Sequence, residues 1–508
     1  MPSSTSKLPA VLESTKCLPP ILLILTSIKI LLMPTYRSTD FDVHRNWLAI
    51  THNLPLEEWY FNDVNGATVH TLDYPPAFAF FEYALANNPL SQLVMPTDDR
   101  CFQLLLDSDN DPSDACIMFQ RSTVILSDIM LWIGAWVACR AMYPTRLDYS
   151  ISSFLLIALN PGLLWLDHVH FQYNGMLLGL LLLSLGLLMH GKNVAVQSTN
   201  YHVYHLTGAA SYALLVNFKH LYLTLGPLYF CYLLEQYCFT RTSPKRFQIQ
   251  NFAILGVVTL TSLVLPWIPF LLQQDPKEQL VQILARLFPF QRGLVHDYWA
   301  ANIWALYMLA DKGVGFLSKY NVGLALPSSL PEVPPSWCAG LLLASMVPAL
   351  VMTRLRWSNV KLIQSVVYIS LAAFMLAYHV HEKAILTSLI PLTLLVHHEN
   401  ATHSFLFTQI SRWGLLGLFP LLFRPVELTL KLASYACYWS LSSYLVPQSS
   451  HKWLQTGTGI VVAGVIVALE FLPIPGRFEF LPLLLTSIVC ALGLVGCWIL
   501  SFWLLVQK

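Results

Sequence analysis

From Leu481 to Val506 the chain runs through 26 residues without a charged side chain. A helix rises about 1.5 Å per residue, so such a run spans the roughly 30 Å hydrocarbon core of a bilayer. In lipid it satisfies its own backbone hydrogen bonds; in water it would need burial on every side. Comparable runs recur at Ile21–Met33, Leu155–Leu166, Met176–Met189, Phe252–Leu272, Leu341–Val351, Ile385–Val396 and Gly459–Phe471. Only 11% of the 508 residues are charged, against about a quarter in a soluble domain. The pattern predicts an all-α polytopic membrane protein with roughly 12–14 crossings, the spread coming from proline-broken and closely spaced segments. Spans are placed near 18–34, 117–139, 151–166, 173–190, 204–218, 221–239, 251–272, 338–353, 362–379, 384–398, 405–423, 426–446, 455–474 and 481–506.

Residues 1–17 read as a flexible cytosolic N-terminus, 18–508 as a single membrane domain, and about 35–116 as its first non-cytosolic loop. The apolar run after the N-terminus lacks a small-residue cleavage site and reads as a retained helix. A formal net charge of +1 offers no basic stripe for nucleic acid. The ten cysteines show no metal-ligand spacing, and a Cys101–Cys116 disulfide is left open.

Loop charge sets the orientation. Arg140 and Arg146, Lys192, Arg241 with Lys245 and Arg246, and Arg354 with Arg356 and Lys361 occupy alternate loops, which belong on the cytosolic side. The complementary loops hold four polar clusters: Asp40–Asp73, Asp167–His170, Arg286–Trp299 and His379–Lys383. Ionisable groups at a membrane are expensive, so their gathering on one face points to a site.

Each cluster also has an ordinary structural reading. Asp40 and Asp42 follow the first span, and either carboxylate suits a general base or a cap. Arg45, Trp47, Trp59 and Tyr60 supply guanidinium and aromatic surfaces, and each tryptophan taken alone fits an interfacial belt better. Asp167, His168 and Gln172 fit a buried hydrogen-bond network as well as a site. Arg286 and Arg292 suit phosphate, or merely lipid headgroups. His379 and His381 could pair on zinc with Glu382, but Lys383 would repel a cation, so a His/Lys anion site is the better reading. The Asp107–Asp111 run departs from a calcium loop, with Pro112 where glycine is required.

Carboxylates, cations and aromatics at a lipid–water boundary suit a sugar joined to a lipid phosphate. A phosphate leaving group departs without a proton, so one carboxylate base suffices where a glycosidase needs two carboxyls.

The blocks Thr39–Thr51, Leu54–Tyr60, Leu72–Pro76, Asp167–Gly175, Arg286–Gly293 and His379–Leu386 resemble the endoplasmic-reticulum glucosyltransferases that use dolichyl-phosphate glucose. Within that family, His44–Trp47 and Gly293–Trp299 are most similar to the branch that extends the mono-glucosylated lipid-linked oligosaccharide. The Asn62–Val69 and Asp107–Asp114 segments depart from it.

The resemblance implies a GT-C membrane fold and an inverting, metal-independent transfer that makes an α-1,3 linkage, with no cofactor. It implies Asp40 as the base and the His-x-His-Glu-Lys block as a phosphate contact. The expected site then has His379, His381, Lys383 and Arg286 or Arg292 on the donor phosphate. Asp42, Arg45, Trp47, Asp73, Tyr74, Asp167, His168 and Gln172 would lie around the sugars. The expected partners are dolichyl-phosphate glucose, the dolichyl-diphosphate-linked oligosaccharide and membrane lipid, with the site facing the lumen. The alternatives are the first glucosyltransferase of the same pathway, a mannosyltransferase, or a lipid-linked-sugar flippase, which would instead hold its binding groups near the midplane.

Overall fold

The computed structural model describes residues 10–61, 70–89, 91, 100–104, 111–241, 244–296, 299–319, 327–355, 357–422, 425–447, 452–471 and 480–507. The Asn62–Val69 and Asp107–Asn110 segments, and Asp297 and Tyr298, lie outside the described residues. Helices dominate, and no strand occurs among the described residues beyond two isolated bridges. Eight of these helical stretches are long and apolar enough to cross a membrane. The multi-pass, all-α expectation holds. Several other expected spans are shorter helices, such as Leu18–Leu31, or are interrupted, as at Gly226–Tyr237.

The chain forms two compact units, residues 8–289 and 290–508. The first contains α1 (Leu18–Leu31), α2 (Thr39–Asn53), α3 (Pro76–Ala86), α4 (Asp114–Met142), α5 (Leu147–Ala158), α6 (Asn174–Asn193), α7 (Thr199–Phe218), α8 (Gly226–Tyr237), α9 (Ile249–Val264) and α10 (Pro276–Leu287). A π-helical turn, Leu164–Val169, precedes α6. Helices α4 and α6 meet through glycine: a Cβ on Gly134 would come within 1.8 Å of the Gly179 carbonyl oxygen. Lipid gives helices no hydrophobic drive to associate, so small residues that allow close backbone approach carry the packing.

The segment expected to be a loop after the first span is folded. Helix α2 begins after Ser38, with Asp40 and Asp42 in its first turn where a carboxylate suits the positive helix end. Its inner face buries Phe41, Trp47 and Ile50 in a cluster with Tyr60, Phe78, Phe171 and Tyr173. Cys101 and Cys116 form a disulfide beside it.

The second unit contains α11 (Ile303–Lys319), α12 (Pro335–Leu355), α13 (Asn359–Leu376), α14 (Leu386–Leu392), α15 (Thr402–Leu416), α16 (Leu428–Leu445), α17 (Lys452–Glu470) and α18 (Leu481–Val506). Helix α13 is buried along most of its length, packed by α12, α14 and α18, while α15 lies against α17 and α18. Most of α17 is exposed apolar surface, as a lipid-facing helix requires.

Candidate active site

In the first unit the Asp40 carboxylate is held from the π-turn side. Gln172 Nε2 donates to Asp40 Oδ2 at 2.5 Å, and His170 Nε2 lies 3.1 Å from the same oxygen. Both side chains come from the short stretch between the π-turn and α6. Phe171 between them has φ +82°, a left-handed conformation that costs a bulky residue about 1–3 kcal/mol. Its ring is fully buried and meets Phe41 edge-on at 5.1 Å. Burial of a phenyl ring, about 1.5–3 kcal/mol, with an aromatic pair worth about 1 kcal/mol more, offsets that strain. The kink leaves the residues on either side of Phe171 reaching the same carboxylate.

Arg121, near the start of α4, fixes this arrangement. Its Nη1 donates to the His168 carbonyl at 2.5 Å, and its Nη2 to the carbonyls of Tyr36 at 2.8 Å and Val169 at 2.9 Å. The guanidinium also lies over the rings of Phe41 and Phe171. One buried cation therefore ties the entry to α2 to the π-turn.

The other expected sugar-site residues divide. Asp42 pairs with Arg45 at 3.3 Å along one turn of α2, and Arg45 is buried. Trp47 is buried and donates to the Thr71 carbonyl at 2.9 Å, and Trp59 is buried too, so both tryptophans belong to the core and not to an interfacial belt. Tyr74 packs on Trp47 at 5.0 Å, with Lys219 Nζ 5.0 Å from its ring centre. Neighbouring Asp73 adds to the effect of burial in raising the Tyr74 phenol above its ordinary range. His70 is half-buried, and burial lowers its imidazole against the upward pull of Asp42 and Asp40.

Asp167 and His168 are both buried and engaged within the protein. The Asp167 carboxylate accepts the backbone N–H groups of Asn174 at 3.0 Å and Gly175 at 2.5 Å, capping α6 from the π-turn. His168 lies 3.2 Å from Asp128, which also binds Lys29 at 2.6 Å, all three buried. A buried helix start needs acceptors for its free N–H groups, and Asp167 supplies them here.

Sequence reasoning missed three participants. His170 carries the signal of a polar residue two positions from Gln172, and Arg121 that of a lone arginine in an apolar run. Glu82 pairs with His44 at 2.8 Å in full burial, which raises the carboxyl pKa against the effect of the imidazole; nothing local marks it.

In the second unit His296, His379 and His381 converge, each offering a nitrogen within 4.8 Å of the others. A parallel bridge between Val295 and Val380 joins their segments, and the His379 N–H donates to the Leu294 carbonyl at 2.9 Å. His379 has φ +54°, and its Nδ1 is 3.0 Å from the Gly293 carbonyl, a partner that leaves Nε2 to face the cluster. Lys383 follows in the turn Glu382–Ile385, and Arg292 precedes on an exposed turn, Phe290–Arg292. The expectation named two of the three imidazoles; the third completes a set that fits a metal ion as well as an anion. Arg286 belongs to the first unit, on α10, where its Nε donates to the Tyr60 carbonyl at 3.3 Å.

The fold and the two clusters define a helical multi-pass membrane protein with a clamped carboxylate and an imidazole-rich turn. Residues 25–501 match the ALG6, ALG8 glycosyltransferase family, and the chain belongs to it. It is 37% identical to a probable dolichyl pyrophosphate Glc1Man9GlcNAc2 alpha-1,3-glucosyltransferase of Drosophila melanogaster, over 93% of this chain and 91% of that protein. It is 36% identical to the Mus musculus enzyme of the same activity, over 93% and 92%, and 33% identical to that of Arabidopsis thaliana, over 93% and 95%. Among solved structures, an Archaeoglobus fulgidus oligosaccharyltransferase in the apo form aligns with a TM-score of 0.41 at 11% identity, over 92% of this chain and 60% of that one.

Proposed function

We propose that this protein transfers glucose from dolichyl-phosphate glucose to the mono-glucosylated, dolichyl-diphosphate-linked high-mannose oligosaccharide. It would do so in the endoplasmic-reticulum membrane, with its chemistry on the lumenal side. The observation that carries this reading is the Asp40 carboxylate, clamped on one oxygen by Gln172 and His170. The names of its relatives and its family support the acceptor.

Asp40 takes the proton from the acceptor glucose 3-hydroxyl as that oxygen attacks C1 of the donor glucose. The C1–O bond to phosphate breaks, its electron pair stays on the phosphate, and a β-linked donor gives an α-1,3 product. The phosphate leaves as an anion and needs no proton, so one base is enough. His379 and His381, with Lys383 and Arg292, stabilise that anion. Asp73 and Tyr74 shape the sugar sites. Arg286, engaged with the Tyr60 carbonyl, is the weaker of the two arginine candidates.

Transfer by purified protein to acceptors carrying zero, one or two terminal glucoses tests the assignment. Turnover on the mono-glucosylated acceptor alone is expected, and turnover on the unglucosylated acceptor would refute it. Asp40→Asn, nearly isosteric, should abolish transfer while leaving the protein folded. Activity in that variant would remove Asp40 as the base.

A further inference from the structure

Three of the buried cations have answered their charge within the protein. Lys29 meets Asp128, Lys431 meets Glu470 at 2.5 Å, and Arg121 is surrounded by three carbonyls. Arg412 on α15 is different. It is 8% exposed and pairs with no carboxylate among the described residues. Its Nη1 donates to the Gln455 carbonyl and to the Thr458 hydroxyl, the latter at 2.7 Å, and its Nε–H finds no acceptor among the described residues. The guanidinium lies against the Trp439 ring at 4.6 Å. That ring fits because α17 carries glycine opposite it: a Cβ on Gly459 would be 3.0 Å from Trp439 Cζ2.

Beside Arg412 is a cavity of about 550 Å³ between α15, α16 and α17, lined also by Thr408, Trp439, Ser442, Lys452 and Thr456. Two cations and four hydroxyls, those of Thr408, Ser442, Ser443 and Thr456, thus share a space whose walls contribute no carboxylate. An intramembrane arginine is costly unless an anion or a set of acceptors answers it. The adjoining surface is apolar, with Tyr444, Trp453 and Ile460 all largely exposed. On the orientation read from loop charge, the Lys452 end of α17 lies in the cytosolic leaflet, where anionic lipids concentrate and basic pockets between helices bind their headgroups.

We propose that this cavity is a binding site for the phosphate headgroup of an anionic phospholipid. Arg412 and Lys452 take the phosphate charge, the hydroxyls of Ser443 and Thr456 donate to its oxygens, and the acyl chains lie along Ile460 and Trp453. The site is separate from the residues assigned to transfer.

Delipidated protein in a neutral detergent, titrated with dioleoyl-phosphatidylglycerol, dioleoyl-phosphatidylcholine or inorganic phosphate, tests it by thermal shift and native mass spectrometry. Phosphatidylglycerol should raise the melting temperature and stay bound, while phosphatidylcholine should do so weakly. Lys452→Gln should weaken phosphatidylglycerol binding about fivefold, the effect of about one basic group near a membrane surface. Arg412→Gln combined with Lys452→Gln should abolish the response. If the double variant does not fold, Ser442→Glu places a carboxylate in the cavity; it should stabilise the lipid-free protein and remove its lipid response. An equal shift from inorganic phosphate alone would overturn the lipid as ligand. Undiminished phosphatidylglycerol binding in Lys452→Gln and Ser442→Glu would overturn the site.

Discussion

Replacing Gln172 by Glu changes little in shape and reverses the meaning of the contact with Asp40. In the wild type an amide N–H donates to Asp40 Oδ2 at 2.5 Å, and Gln172 is buried. In the variant two carboxylates meet at hydrogen-bond distance. At an effective dielectric constant near 20, two unit charges about 3 Å apart repel by about 5 kcal/mol. The Asp40 side chain is 25% exposed, and solvent screens part of this. The pair then shares one proton, and its upper apparent pKa rises by about 2–4 pH units.

Added to an ordinary aspartate value near 4, that carries the upper pKa to about 6–8, so the base is partly protonated at neutral pH. Transfer at pH 7 should therefore fall by up to about tenfold. The acid limb of the pH–rate profile should move in the alkaline direction and recover activity as pH rises. Gln172→Ala only removes a donor, so its limb should move in the same direction by about one unit, as expected for one hydrogen bond to a charged group. His170→Ala should behave likewise, since His170 reaches the same oxygen at 3.1 Å. Rates measured from dolichyl-phosphate glucose to the mono-glucosylated acceptor across pH decide the matter. A wild-type rate and limb in Gln172→Glu would refute the clamp. An inactive Asp40→Asn alongside would still leave Asp40 as the base.

The remaining expectations concern stability and the imidazole cluster. Lys29→Met removes one partner of a buried pair and should destabilise by about 3–5 kcal/mol, less whatever His168 supplies to Asp128; Lys29→Met with Asp128→Leu should recover much of that loss in detergent melting curves. Opening the Cys101–Cys116 disulfide, which closes a span of 15 residues, should cost about 3 kcal/mol, seen as a lower melting temperature in Cys101→Ser. Chelation with EDTA should leave transfer unchanged if the three imidazoles hold a phosphate, and loss of activity restored by zinc would make them a metal centre instead. His381→Ala should raise the donor KM more than the acceptor KM, and equal effects would count against its assignment.

How much of this was legible in the sequence depends on whether a residue's partner is local. Apolar runs report the membrane because lipid acts on every residue of a span, and the all-α architecture followed. Helix α2 was hidden because its inner face is written in polar letters. His44, Arg45 and Asn46 are buried there only because Glu82, Asp42 and the His70 carbonyl receive them, and two of those three lie more than twenty residues away. The tryptophans misled for a related reason. A belt is the default for an isolated Trp at a membrane surface, but Trp47 has the Thr71 carbonyl for its indole N–H and a wall of aromatic rings around it.

The run Asp167–Gly175 shows the limit most sharply. Its polar residues share one short stretch, and composition gives them equal standing. The π-turn and the left-handed Phe171 then sort them, sending Asp167 and His168 inward to cap α6 and to pair with Asp128, and His170 and Gln172 to Asp40. Nothing in the letters of Phe171 demands a positive φ; it is imposed by the buried ring of Phe41 and by Arg121 drawing in the carbonyls of His168 and Val169. A strained residue persists only where its surroundings over-determine it. Phe171→Ala keeps both polar neighbours but removes the ring contact that offsets the strain. It should therefore reduce transfer through a shifted acid limb, as loss of the clamp does, with the Asp128 pairs and α6 capping intact.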